Sequence, residues 1–193
     1  MRELIERRMM ESIEVKTKLL ENDELISMLE DVSDKIVRSL KQGGKLVLCG
    51  NGGSASDALH FAGEIVGRFQ KERDPWPAVV LHADVASLTA IANDYSYVDT
   101  FAREAKAFTG KEDVFVGIST SGNSENVFRA IDVAKKVGAV TVAFLGKDGG
   151  IIKGITDYPL VVPCSVTARI QECHIMLIHI LCEMIEEKME KNE

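Results

Sequence analysis

In Lys45-Leu46-Val47-Leu48-Cys49 the four positions after the lysine are apolar in succession, as in a strand covered on both faces, and the run breaks into Gly50-Asn51-Gly52-Gly53-Ser54 before a helical pattern begins. Strand, glycine turn and helix in that order make one βα unit. The same texture recurs downstream. Short apolar runs at 78–81, 113–118, 140–145 and 159–162 are each followed by a Gly-, Ser- or Asp-rich turn and then a helical pattern. Alternation of this kind predicts an α/β fold with a parallel sheet covered by helices, in which ligands bind beyond the carboxyl ends of the strands. Upstream, Leu4, Ile5, Met9 and Ile13, then Leu25, Leu29, Val32, Ile36 and Val37, fall at helical spacing and predict helices over 2–20 and 23–41. Asn22 supplies a cap for the second, and Gly43-Gly44 ends it. The last helix is expected over about 167–190, with Ile170, Cys173, Leu177, Leu181 and Met184 as its apolar stripe and solvated charge at its end.

The chain has 193 residues and is 46% apolar, enough for one sizeable core, so a single domain over 1–193 is expected. It divides into a helical pair over 1–41 and an α/β core over 42–193. No run of about 18 apolar residues is present to span a bilayer, and Met1-Arg2-Glu3-Leu4-Ile5-Glu6-Arg7-Arg8 is too densely charged for a secretion signal. A cytoplasmic protein is the expectation. Cys49, Cys164, Cys173 and Cys182 form no CxxC pair, which argues against disulfides and a cysteine-held zinc. The formal net charge of −7 disfavours nucleic acid and anionic membranes as partners. It leaves a small phosphorylated ligand open, because such a ligand feels mainly the N–H groups and helix N-termini of its own pocket. The two leading helices present more apolar surface than one small sheet covers, so a homo-oligomer built through them is expected.

The glycines of 50–53 let the backbone turn sharply and approach a ligand, while the following helix start aims N–H groups at it. Gly50-x-Gly52-x-x-Ala55 also fits a relaxed dinucleotide fingerprint, but no ribose-binding acid is evident where the next strand ends at Leu81-His82-Ala83-Asp84. At the end of the third strand, Ser119-Thr120-Ser121-Gly122-Asn123-Ser124 places four hydroxyls and a glycine in six residues. That density can surround a phosphate with donors without lysine or metal. The alternative is a turn whose hydroxyls merely cap the helix, a role expected of Ser124 in either case.

His60 and Glu64, four residues apart, share one face of the helix leaving the glycine turn. Gln171 and His179, eight apart, share a face of the last helix. If the two faces met, two imidazoles, a carboxylate and an amide would cluster as a metal or acid–base site. Taken singly, a histidine on an apolar helix is more often a satisfied core residue and a glutamate a solvated one. The residues alone leave both readings open.

Six motifs resemble, in order and spacing, the phosphoheptose isomerase family of the sugar isomerase (SIS) fold. They are Gly50-Asn51-Gly52-Gly53-Ser54, His60-Phe61-Ala62-Gly63-Glu64, Asn93-Asp94, Ser119 through Ser124, Gly146-Lys147-Asp148-Gly149-Gly150, and Arg169-Ile170-Gln171-Glu172 followed by His179. The resemblance covers nearly the whole chain. It implies a three-layer α-β-α sandwich with a five-stranded parallel sheet of flavodoxin-like order, preceded by two helices, and a homotetramer with active sites at subunit contacts. It further implies substrate binding by Asn51, Gly52, Gly53, Ser54, Glu64, Asn93, Asp94, Ser119, Thr120, Ser121, Ser124 and Gln171. His60, Glu64, Gln171 and His179 resemble the ligands of one zinc ion (Zn2+) per subunit, and Glu64 and His179 the catalytic acid–base pair. Two departures stand out. Ala168 precedes Arg169 where some members carry an Asp, and the stretch His82-Ala83-Asp84 is one residue longer than in some relatives.

The implied reaction interconverts sedoheptulose 7-phosphate and a manno-heptose 7-phosphate through an enediol, which needs a base at carbon, an acid at oxygen and stabilisation of the developing oxyanion. A carboxylate bound tightly to zinc is a poorer base, so either Glu64 leaves the metal during turnover or the ion is chiefly structural. Two alternatives share the fold. One is a regulator that binds the replication initiator and lacks the acid–base pair; the other is an isomerase or sensor for a different ketose phosphate.

Overall fold

The computed structural model describes residues 1–190, so the last three residues of the expected 1–193 domain lie outside the described residues. In chain order the elements are α1 (Arg2–Leu20), α2 (Asp23–Lys41), β1 (Leu46–Gly50), α3 (Gly53–Val66), β2 (Ala78–Val80) and α4 (Val85–Asp94). A 3-10 turn (Tyr97–Asp99) then leads into α5 (Thr100–Phe108), β3 (Val114–Ser119), α6 (Glu125–Val137), β4 (Val140–Gly146), α7 (Gly150–Lys153), β5 (Tyr158–Val162) and α8 (Thr167–Glu190). Each expected strand is present, with ends displaced by about one residue. Asn22 caps α2 as expected, its Oδ1 accepting from the Leu25 N–H at 3.0 Å.

All strand pairs are parallel and the sheet order is β2-β1-β3-β4-β5. Alternation of side chains along the strands makes two cores. Leu46, Leu48, Val114, Val116, Val142 and Phe144 face α1, α2, α3 and α8, where Ile36, Phe61, Ile178 and Leu181 are fully buried. Val47, Cys49, Phe115, Ala143 and Leu145 face the other way, toward Phe101 of α5 and Ile131 of α6. This is the three-layer sandwich expected. No described helix is long and apolar enough to cross a membrane.

The order reverses at β1: β2 lies on one side of it and β3, β4 and β5 on the other. The loops that follow β1 and β3 therefore diverge and leave a crevice at the carboxyl edge of the sheet. The glycine loop follows β1 and the serine loop follows β3.

Candidate active site

Gly52 has φ +56°, a conformation that L side chains rarely adopt, and α3 begins with no side-chain cap. The Ser54 and Ala55 N–H groups donate back to the Asn51 and Gly52 carbonyls, each at 3.0 Å, which folds the glycine turn onto the start of α3. Gln171 reaches this loop: a Cβ added at Gly53 would lie 2.3 Å from its Nε2. Eight residues separate Gln171 from His179, an advance of about 12 Å along α8. Within the chain its amide therefore sits at the glycine loop, two turns before His179.

In the serine loop the Ser119 and Ser124 hydroxyls lie 2.8 Å apart, and the Ser121 hydroxyl accepts from the Asn123 N–H at 3.1 Å. Ser124 occupies the N-cap position of α6, but its side chain makes no capping bond, contrary to expectation. The hydroxyl turns back to Ser119, and in the first turn of α6 it is Asn126 Oδ1 that accepts from a backbone N–H, that of Val127, at 3.0 Å. Gly122, at φ +68°, lets the loop press against the 146–150 turn; a Cβ there would sit 2.2 Å from the Gly149 carbonyl oxygen. Thr120 stands beside that turn, since a Cβ at Gly146 would meet its carbonyl oxygen at 2.5 Å.

Asn93 and Asp94 end α4, with the Asn93 amide donating to Asp94 Oδ1 at 2.9 Å. The 3-10 turn that follows carries Tyr97, whose hydroxyl donates to Asn51 Oδ1 at 2.7 Å. That bond draws the Asn93-Asp94 end of α4 toward the glycine loop. Asp84, the acid after β2, caps α4 by accepting from the Ala86 and Ser87 N–H groups at 3.0 and 3.3 Å.

α3 and α8 pack together on the same side of the sheet, and their chemical faces converge. His60 Nε2 lies 2.9 Å from Glu64 Oε1 and 3.3 Å from His179 Nε2. His60 Nε2 takes part in both contacts, and one ring proton cannot serve both at once. A cation among the three would satisfy all of them. Two imidazole nitrogens on a tetrahedral zinc, each at 2.0–2.1 Å, stand about 3.3 Å apart. All three donor atoms lie within 4.8 Å of one another, so this set fits a metal.

A second network braces the cluster from both helices. Glu186, 3% exposed, accepts from the Phe69 N–H (3.0 Å) and Arg73 Nε (3.0 Å) on one oxygen, and from the Gln70 and Lys71 N–H groups (2.9 and 3.0 Å) on the other. Burial alone would raise its pKa, but these four donors hold it below its ordinary value. Arg73 also donates to the Glu64 and Ile65 carbonyls at 2.7 and 3.0 Å, closing the last turn of α3. Phe69 stacks on His179 with ring centroids 5.6 Å apart. The sequence reading placed only solvated charge at this end of α8, so Glu186 is a correction: folding of the 67–73 segment over the helix buries it.

Of the four histidines, His174 is a core residue, its Nε2 3.0 Å from the Leu145 carbonyl and its pKa lowered by burial to about 4. His82 contacts the Ala55 carbonyl oxygen at 3.0 Å.

The SIS domain family profile matches residues 11–146. The phosphoheptose isomerase of Clostridium acetobutylicum is 44% identical over 98% of this chain and 96% of its own length; that of Helicobacter pylori is 48% identical over 95% of each. The chain belongs to the phosphoheptose isomerase family. The solved phosphoheptose isomerase of Neisseria gonorrhoeae, 39% identical, superposes over 96% of this chain and 98% of its own with a TM-score of 0.90. The superposition thus extends over nearly the whole layout described above.

Proposed function

We propose that the chain is an aldose–ketose isomerase converting sedoheptulose 7-phosphate to D-glycero-D-manno-heptose 7-phosphate through an enediol, at the start of heptose biosynthesis in the cytoplasm. The observation that carries this is the convergence of Glu64 and His179 on His60, in a chain of this family. A regulator without catalysis has no need of that pair.

The serine loop binds the phosphate through Ser119, Thr120, Ser121 and Ser124, while the glycine loop, Asn93, Asp94 and Gln171 hold the sugar hydroxyls. From Gly53 to His60, α3 advances about 10 Å. An extended seven-carbon phosphate has about the same reach, at roughly 1.2 Å per bond. A phosphate held at the carboxyl edge of the sheet therefore brings the carbonyl end beside Glu64. Glu64 takes the proton from one carbon and returns it to its neighbour, and His179 moves the proton between the two oxygens. His60, Glu64 and His179 would hold zinc; Gln171, two turns away at the glycine loop of the same chain, would complete the ligand set only from a second copy. Bound zinc supplies a Lewis acid for the carbonyl oxygen.

The cluster lies on the outer face of one subunit, with His60 exposed. Proton transfer at carbon gains from exclusion of water, which a second copy would provide. Leu4, Ile5, Met9 and Ile13 of α1 are exposed, and an apolar groove of about 400 Å3 is lined by Leu19, Leu20, Ile26, Met176 and Ile180. Both features support a homotetramer assembled through the leading helices. The test is NMR of sedoheptulose 7-phosphate incubated with the purified protein, with and without chelator, beside Glu64→Gln. Conversion by the wild type and a loss of at least about a hundredfold in the variant are expected. Near wild-type turnover by Glu64→Gln would remove Glu64 as the base.

A further inference from the structure

The glycine loop is joined to the first turn of α6 through one pair of amides. Asn51 Nδ2 donates to Asn126 Oδ1 at 2.9 Å, and Asn126 Nδ2 donates back to Asn51 Oδ1 at 2.9 Å. The two ends of an amide are nearly alike in shape, so the polarity of such a pair is set by its neighbours. One neighbour here can only donate: the Val127 backbone N–H points at Asn126 Oδ1 from 3.0 Å. That contact fixes the Asn126 oxygen, and the pairing then fixes which end of Asn51 is oxygen. The Tyr97 hydroxyl, 2.7 Å from Asn51 Oδ1, must act as donor.

Asn51 Oδ1 now has both lone pairs engaged, one by Tyr97 and one by Asn126. One N–H of Nδ2 is committed to Asn126, and the other remains. We propose that Asn126 and Tyr97 are positioning residues that hold Asn51 as a one-way hydrogen-bond donor, so that the crevice at this point reads an acceptor oxygen of the sugar phosphate. The inference rests on the isomerase reading and deepens it.

Two further observations separate this role from general packing. Asn126 is 3% exposed, and a buried polar pair adds little stability over an apolar pair of the same shape, so its value lies in orientation. Tyr97 is 54% exposed, and its hydroxyl makes the side-chain hydrogen bond to Asn51. Its turn is anchored separately, by Ser96 and by Arg129 donating to Asp99 at 2.5 and 2.6 Å. Removing the Tyr97 hydroxyl therefore leaves the turn in place and withdraws one of the three hydrogen bonds that hold the Asn51 side chain.

The experiment is a double-mutant cycle on the full-length protein, with Tyr97→Phe, Asn51→Ala and the double variant compared by kcat, KM and thermal melting. Tyr97→Phe is expected to melt with the wild type, to raise KM about three- to tenfold and to leave kcat within about twofold. In the Asn51→Ala background the same change should shift KM less than about 1.5-fold, because Tyr97 acts through Asn51. Asn126→Asp sets a second acceptor against Asn51 Oδ1 and should raise KM further than Tyr97→Phe. Independent, multiplying effects of Tyr97→Phe and Asn51→Ala would overturn the inference, as would an unchanged KM in Tyr97→Phe. Should Asn126→Asp fail to fold, the Tyr97–Asn51 cycle still decides. If the wild type leaves sedoheptulose 7-phosphate unchanged, the isomerase reading fails instead, and the same cycle is read by calorimetric binding of that sugar phosphate.

Discussion

Glu186→Gln removes one charge and one acceptor from the network that braces the His60–Glu64–His179 cluster. The carboxylate serves four donors, two on each oxygen. Glutamine keeps one oxygen and turns an NH2 toward the other two donors, leaving at least two N–H groups facing a group that cannot accept. Unsatisfied buried donors cost about 1–3 kcal/mol each, and breaking one side of a buried ion pair costs about 3–5 kcal/mol. The Arg73 and Glu186 side chains are 11% and 2% exposed, so solvent screens little of this. The two costs overlap, and a loss of about 4 kcal/mol follows. Urea unfolding followed by circular dichroism at pH 7 measures it.

The pH dependence gives a second handle. Glu186 has a pKa lowered from 4.5, so its stabilisation is complete above that value and is lost as pH falls through the lower folded value. The gap between wild type and variant should be widest at pH 6–7 and should close in acid, below about pH 4. Because Phe69 and the end of α3 are released together, kcat should fall about tenfold or more. A loss under about 1 kcal/mol, or a gap that does not change with pH, would refute the bracing argument.

Glu104, 4% exposed, is pushed up to about 7 by burial, with the Asp84 carboxylate adding to the effect. The folded chain keeps this proton between pH 4.5 and about 7 while the unfolded chain releases it, so stability falls as pH rises through that window. Glu104→Gln should match the wild type at pH 4 and exceed it at pH 8 by up to about 3 kcal/mol; equal urea midpoints at pH 8 would contradict this. Gly53→Ala places a methyl group 2.3 Å from Gln171 Nε2 and must displace that amide, so KM should rise several-fold while melting changes little. His60→Ala should lower the zinc content of the purified protein, measured by mass spectrometry of the metal, from about one per chain to near zero. Retention of full zinc by that variant would place the ion elsewhere.

The fold is legible because strands covered on both faces are apolar at every position; β1 and β3 are buried throughout. Half of the site is legible for a related reason. His60 and Glu64 are four apart on one helix, a spacing that places them together in any fold. His179 is 119 residues from His60, and only the resemblance paired them before the structure did. Ser124 was misread because a hydroxyl at a helix start has the same sequence signature whether it caps or bonds another serine. Asn126 and Tyr97 left no signal: an asparagine in the first turn of a helix reads as an ordinary end residue, and its partner Asn51 lies 75 positions away. Glu186 sits among other acids near the chain end, and its burial depends on the 67–73 segment folding back over α8.

The divergence of the loops after β1 and β3 bears on how this scaffold can change over generations. Beyond Gly50 and Ser119 neither loop contributes a rung to the sheet, so residues inserted there leave the strand pairings in register. Under the proposed function, recognition of longer or shorter sugars is therefore free to drift at low risk to folding, whereas the proposed proton-transfer pair, anchored on two packed helices, has almost no such latitude.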